Sequence, residues 1–201
     1  MIWRPRRLLK NFAGLVAAIL PAHAVGKPLE NWFQDEARVG QQGTLGAIWA
    51  EIGSRPPGVR DDRHDSAWLF GAVCPKRGVA AGLVMPWVSS EAMTLHLDAI
   101  GAAVIPGAHA VLVCDGAGWH RTGGRLVVPH NISLMPLPGY SPQLNPIENV
   151  WAYLRGSYLN ITVWDRYEDI VNACCRAWNA FVADVARVVS VTMRSWAKVN
   201  V

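Results

Sequence analysis

The stretch Ala108-His-Ala-Val-Leu-Val-Cys-Asp115 constrains the fold more than any other part of the chain. It is a nearly unbroken apolar run that stops at an acid. Without polar alternation, such a run reads as a strand buried on both faces, in the middle of a sheet covered on both sides. Gly116-Ala-Gly118 then lets the chain turn sharply beside Asp115. An Asp that opens a turn is the ordinary reading of this position. Trp119-His120 and a second acid downstream favour a chemical one.

Further strands and helices build around this run. Leu29–Asp35, Leu45–Ile52 and Ala67–Cys74 read as strands, with a polar Arg- and Asp-rich loop from Gly53 to Ser66. Pro75-Lys-Arg-Gly78 is a turn, and a strand from Val79 to Val88 completes a hairpin. Ser89 caps a helix from Ser90 to Ile100, and Asn131–Met135 is another short strand. The last third is helical: Pro146–Tyr158 carries an apolar stripe at Ile147, Val150, Trp151, Leu154 and Tyr158, Asp165 opens a helix through Phe181, and a third runs from Asp184 to about Lys198. Strands first, then strands alternating with helices, predict an α/β fold: a mixed sheet flanked by helices.

Composition adds bounds. The chain has 201 residues, enough for one domain with a sizeable core; it is 51% apolar with ten Trp. A net charge of +4 and a pI near 9.1 suit a polyanionic partner without requiring one. Cys74, Cys114, Cys174 and Cys175 lack metal-ligand spacing and read as buried free thiols, hence a reducing compartment. No run approaches the roughly 20 apolar residues of a membrane span.

Glu148 is the acid downstream. Asn145-Pro-Ile-Glu148 reads as a capping box with Pro146 at the first helical position, which explains both Asn145 and Glu148 without chemistry. The Asn can nonetheless cap while the Glu points toward the sheet edge. Asp35, in Trp32-Phe-Gln-Asp-Glu-Ala-Arg38, is the natural third acid; Phe33 and Asp35 share a face and Glu36 takes the other, but alternation leaves open which acid points inward. Three carboxylates in one place repel and are held together best by hard divalent cations. Two such ions about 4 Å apart activate the attacking oxygen and stabilise the leaving oxygen of a phosphodiester displacement. His120, five residues past Asp115, lies within reach of such a centre, although a lone His is more often structural.

Phe33-Gln-Asp-Glu-Ala-Arg38, Asp115-Gly-Ala-Gly-Trp-His120 and Leu137-Pro-Gly-Tyr-Ser-Pro-Gln-Leu-Asn-Pro-Ile-Glu-Asn-Val-Trp151 resemble the DDE transposases of bacterial insertion sequences, in particular the insertion sequence 630 branch of the mariner superfamily. The likeness runs from about Lys27 to about Trp178, and the 32 residues between Asp115 and Glu148 suit that superfamily. The resemblance implies a ribonuclease-H-like, mixed five-stranded sheet with Asp35 on the first strand, Asp115 on the fourth and Glu148 on a following helix. It implies that Asp35, Asp115 and Glu148 are catalytic and bind two Mg²⁺ or Mn²⁺ ions, with His120 and Asn145 auxiliary. The partners implied are double-stranded DNA, namely transposon ends and a target (typically TA), and further copies of the chain assembled on it. Gly139 stands where the family often has a second Pro.

About 34 residues precede Asp35, too few for the helix-turn-helix modules of full-length members, so the chain is expected to be an isolated catalytic domain: either a second reading frame joined by frameshifting to a separate helix-turn-helix partner frame, or a truncated remnant. The domain division expected is a basic linker or remnant at 1–26, a DDE catalytic domain at 27–182 and a C-terminal helix at 183–201. Arg4, Arg6, Arg7 and Lys10, followed by Phe12–Leu20 and Ala22-His-Ala24, also match a secretory signal; a DNA-processing site weighs against export and for the cytoplasm, at the nucleoid. Arg55, Arg60, Arg63, Arg121, Arg125 and Arg155 are candidates for salt-sensitive DNA backbone contacts, though each alone reads as solvated surface. The alternatives are another ribonuclease-H-like nuclease, such as an RNA–DNA hybrid hydrolase, and a non-catalytic DNA-binding remnant.

Overall fold

The computed structural model describes residues 10–41, 51–54, 63–120, 123–139, 141–159 and 162–197. Strand β1 (Leu29–Gly40) is the spine of a five-stranded sheet in the order β3-β2-β1-β4-β5. On one side it pairs antiparallel with β2 (Ser66–Cys74), which forms a hairpin with β3 (Val79–Met85). On the other it pairs parallel with β4 (His109–Cys114), which in turn pairs parallel with β5 (Ile132–Pro136). All six β4 residues are buried, as expected for a strand covered on both faces. Each such Val or Leu contributes roughly 1.5–3 kcal/mol of burial.

Among the described residues, five α-helices cover the sheet: α1 (Phe12–Ile19), α2 (Ser90–Ala103), α3 (Ile147–Leu154), α4 (Tyr167–Val182) and α5 (Val185–Thr192). One face carries α2, whose Met93, Leu97 and Ile100 pack on Trp32, Phe70 and Leu112. Its cap is the one expected: Ser89 Oγ accepts from Ala92 N at 3.1 Å. The opposite face carries α1, α3, α4 and α5, with Leu15, Ile147, Trp151, Trp178 and Val188 packed on Phe33, Leu69 and Val111. The N-terminal apolar run therefore sits in the main core, where Phe12 meets Trp196 edge-on with ring centroids 5.3 Å apart. Among the described residues no helix is long and apolar enough to cross a membrane.

Two glycines shape the helix-bearing face. Gly71 of β2 lies opposite Gly82 of β3, and together they leave a trough for the indoles of Trp151 and Trp178. A Cβ on Gly71 would come within 2.6 Å of Trp151 Cη2.

Several expectations change. β1 does not end at Asp35 but runs to Gly40, because its antiparallel pairing with β2 continues five residues further, to Gly40↔Ser66. Of the expected strand at 45–52, residues 45–50 lie outside the described residues, and Glu51–Ser54 form a turn closed by Ser54 N to Glu51 O at 3.0 Å. The C-terminal helix stops at Thr192, where Met193 turns extended and a 3-10 turn follows at Ser195–Ala197. Cys74, Cys114 and Cys174 are buried free thiols as expected, but Cys175 is exposed, since it falls on the outer side of α4. Burial pushes the Cys74 thiol up to about 11 and Cys174 up to about 12, which leaves both protonated and inert.

Candidate active site

Asp35 and Asp115 reach the same level from two parallel strands. The last pair between β1 and β4 is Phe33↔Val113, and each acid stands two residues beyond it. β4 stops there while β1 continues, so the Gln34 carbonyl on that edge has no strand partner. Asn145 fills the gap: its Nδ2 donates to Gln34 O at 2.9 Å in a buried contact. This bond ties the entrance of α3 to β1 and brings Glu148, in the first turn of α3, to the same edge.

The expected capping box does not form. α3 starts at Ile147 with Pro146 as its cap residue, and Asn145 Oδ1 accepts only a long 3.4 Å bond from Ile147 N. The Asn145 N–H goes to Pro142 O at 2.8 Å, so Glu148 has no need to reach back for it. Asn145 serves as a cross-link, and the Glu148 side chain is left half-buried at the edge.

The pleat of β1 separates the two neighbouring acids that alternation left open. Phe33, Asp35 and Ala37 face α3 and α4, and Trp151 Nε1 donates to Asp35 Oδ2 at 2.9 Å. Trp32, Gln34 and Glu36 face α2. Burial pushes the Asp35 carboxyl up to about 7; the Trp151 hydrogen bond opposes this, while the nearby charges of Glu148 and Glu36 add to it. Asp35 thus stands in a surplus of negative charge, and oxygen-only donors suit a hard divalent cation, so the residues present fit one.

Asp115, half-exposed, turns toward His120. Its Oδ1 accepts from Ala117 N at 2.9 Å and lies 2.8 Å from His120 Nδ1. The other ring nitrogen, Nε2, lies 2.9 Å from Glu36 Oε1. Burial disfavours the imidazolium, yet hydrogen bonds and charge from Asp115 and Glu36 outweigh it and lift the His120 pKa to about 10. The same His120 hydrogen bond holds Asp115 below its usual range. Among the described residues no three His, Cys, Asp or Glu side chains converge at metal-ligand distances, because Asp115 is drawn to His120 and Asp35 to Trp151.

Three of the six candidate DNA-contacting arginines fall within the described residues. Arg63 donates to Trp164 O at 2.9 Å and pairs with Asp165 at 3.8 Å, which fixes the entrance of α4. Arg125 forms an exposed 3.5 Å pair with Glu91, and Arg155 is exposed at the end of α3. Arg55, Arg60 and Arg121 lie outside the described residues, as does Tyr140 of the Leu137–Trp151 motif. Two partners escaped the sequence reading: Trp151, which reads there only as an apolar stripe position, and Glu36, whose separation of 84 residues from His120 carries no local signal.

The mixed sheet carries acids on β1, just past the end of β4 and in the first turn of α3. Residues 30–170 match the family model for DDE superfamily endonucleases, and the chain belongs to that family. It is 51% identical over 131 residues to the uncharacterized protein y4pE/y4sA of Sinorhizobium fredii, covering 65% of this chain and 96% of that one. Its fold is ribonuclease-H-like and similar to that of the Mos1 mariner transposase. The TM-score is 0.56 at 14% identity for the paired-end complex with Mn, and 0.52 at 13% identity for the strand transfer complex. In both, the similarity covers 96% of this chain but 64% of the Mos1 chain.

Proposed function

We propose that the chain is the catalytic domain of a DDE transposase, which cuts DNA strands at the ends of a mobile element and joins the freed 3′-hydroxyl to a target, typically TA. The observation that carries this reading is that Asp35 and Asp115 each stand two residues beyond the last β1–β4 pair, while the charge of Glu148, in the first turn of α3, adds to the burial that raises Asp35. Asp35, Asp115 and Glu148 would hold two Mg²⁺ or Mn²⁺ ions. Bound there, the ions supply activation of the attacking water or hydroxyl and stabilisation of the leaving oxygen. The Mos1 chains, captured as paired-end complexes with Mn and with Mg, support this assignment.

The chain's own residues prepare the ligands. Trp151 fixes Asp35 Oδ2, while Ala117 N and His120 fix Asp115 Oδ1; among the described residues Asp115 Oδ2 makes no hydrogen bond. Asn145 holds α3, and with it Glu148, against β1. Exposed Arg125 and Arg155 would contribute sequence-independent phosphate contacts. Recognition of the end sequence is assigned to a separate helix-turn-helix partner, and the working assembly to several copies on DNA.

The test is nicking of a DNA end substrate in Mg²⁺ or Mn²⁺, comparing the wild type with Asp115→Asn and Glu148→Gln. Loss of cleavage in both variants supports the reading, and joining of a pre-cut end separates a transposase from a hybrid-cleaving nuclease. Equal cleavage by all three proteins removes the mechanism. Metal-free, salt-sensitive binding with no cleavage by the wild type replaces it with a DNA-binding remnant.

A further inference from the structure

Glu36 is a carboxylate that the triad does not use. Its side chain is 4% exposed, on the sheet face opposite Asp35. A buried charge there is costly unless donors surround it. Glu36 Oε1 has three partners: Gln34 Nε2 at 2.8 Å, His120 Nε2 at 2.9 Å and Trp119 Nε1 at 3.3 Å. Two of these come from the 3-10 turn Gly118–His120 that follows Asp115, so Glu36 pins that turn to β1. The pinned ring, itself 3% exposed, then presents Nδ1 to Asp115 Oδ1 at 2.8 Å and to the Asp115 carbonyl oxygen at 3.2 Å.

We propose that Glu36 is a positioning residue for the metal site. Through the chain Glu36–His120–Asp115 it holds Asp115 by one oxygen, so that the other stays presented to an incoming divalent cation. Glu36 touches neither metal nor DNA in this scheme and acts only through the His120 ring. Groups that orient a ligating carboxylate typically change metal affinity by about 10–100-fold when removed. The inference rests on the proposed metal-dependent function and concerns how that site is kept ready.

The test uses the full chain and Mn²⁺ as probe, read by electron paramagnetic resonance of free Mn²⁺ and by the Mn²⁺ dependence of nicking. Glu36→Ala is expected to weaken Mn²⁺ binding about 10–100-fold and Glu36→Gln, which keeps an acceptor oxygen, by less. Saturating Mn²⁺ should restore the nicking rate in the Gln variant, whereas general damage to the fold would lower the rate at every Mn²⁺ concentration. In a His120→Asn background, Glu36→Gln should add less than about a two-fold further loss, because residues acting in series are non-additive. If Glu36→Ala does not fold, the Gln variant and its double mutant carry the decision. Unchanged Mn²⁺ affinity in the Glu36 variants, or an undiminished Glu36→Gln effect without His120, overturns the proposal while the metal site stands. Absence of Mn²⁺ binding by the wild type overturns both.

Discussion

Two carboxylates on β1, five residues apart, live in opposite circumstances. Glu30, 6% exposed, is surrounded by donors: Arg77 Nη1 at 3.0 Å, Trp32 Nε1 at 2.9 Å and Ile105 N at 3.2 Å. Asp35 has the Trp151 indole as its side-chain donor and faces the charges of Glu148 and Glu36 instead of a cation. The first is a compensated charge that closes the floor of the sheet, where Arg77 also bonds Ala103 O at 2.9 Å. The second is held by its surroundings in a state that costs stability. Such an uncompensated acid at a sheet edge is a mark of function rather than of folding.

The contrast can be broken most sharply at Asp35. Asp35→Asn is expected to reduce metal-dependent nicking by about 1,000-fold or more, equivalent to roughly 4 kcal/mol of barrier. The same variant should raise the urea-unfolding free energy of the metal-free protein by on the order of 1 kcal/mol, since it removes a repelled, half-buried charge while keeping an acceptor for Trp151. A variant that is both active and less stable would erase the distinction drawn from Glu30.

Arg77→Met attacks the compensated end. It leaves Glu30 with the Trp32 and Ile105 N–H donors but without its cation and should cost about 3 kcal/mol in urea unfolding, the usual penalty for breaking a buried pair. Gly71→Ala comes next in size. Its Cβ would intrude on the Trp151 and Trp178 rings, so about 1–3 kcal/mol of overpacking cost is expected. Because Trp151 carries the Asp35 bond, nicking should fall along with stability; a loss of stability without any loss of nicking would uncouple the indole from the acid.

A smaller, graded effect comes from His96, buried on the α2 face beside Phe70. Burial pushes its pKa down to about 3, with the Gly71 backbone opposing. Its folded pKa lies below the unfolded value near 6.5, so the unfolded chain binds the extra proton between those limits. The stability it contributes is complete above about 6.5 and is lost as pH falls toward 3, by at most about 1.4 kcal/mol per pH unit. Urea titrations at pH 7, 6 and 5 should show this slope, and His96→Leu should flatten it.

Much of this was legible without coordinates, because the signals were local. The unbroken apolar run at 108–114 required a doubly covered strand, Ser89 announced its cap, and the acids announced themselves at a strand end and a helix start. The capping box at Asn145 and Glu148 misled for the opposite reason: its local logic is sound, but a distant carbonyl left over where β4 stops claimed Asn145 instead.

The amino-acid sequence by itself therefore determined the mixed sheet, the order of its acids and the kind of chemistry they suit, since periodicity and end signals act within a few residues. Only the tertiary structure decided that Asp35 faces Trp151 while Glu36 faces His120, over separations of 116 and 84 residues. The pleat sends adjacent side chains to opposite faces, and what waits on each face depends on helices and turns far along the chain.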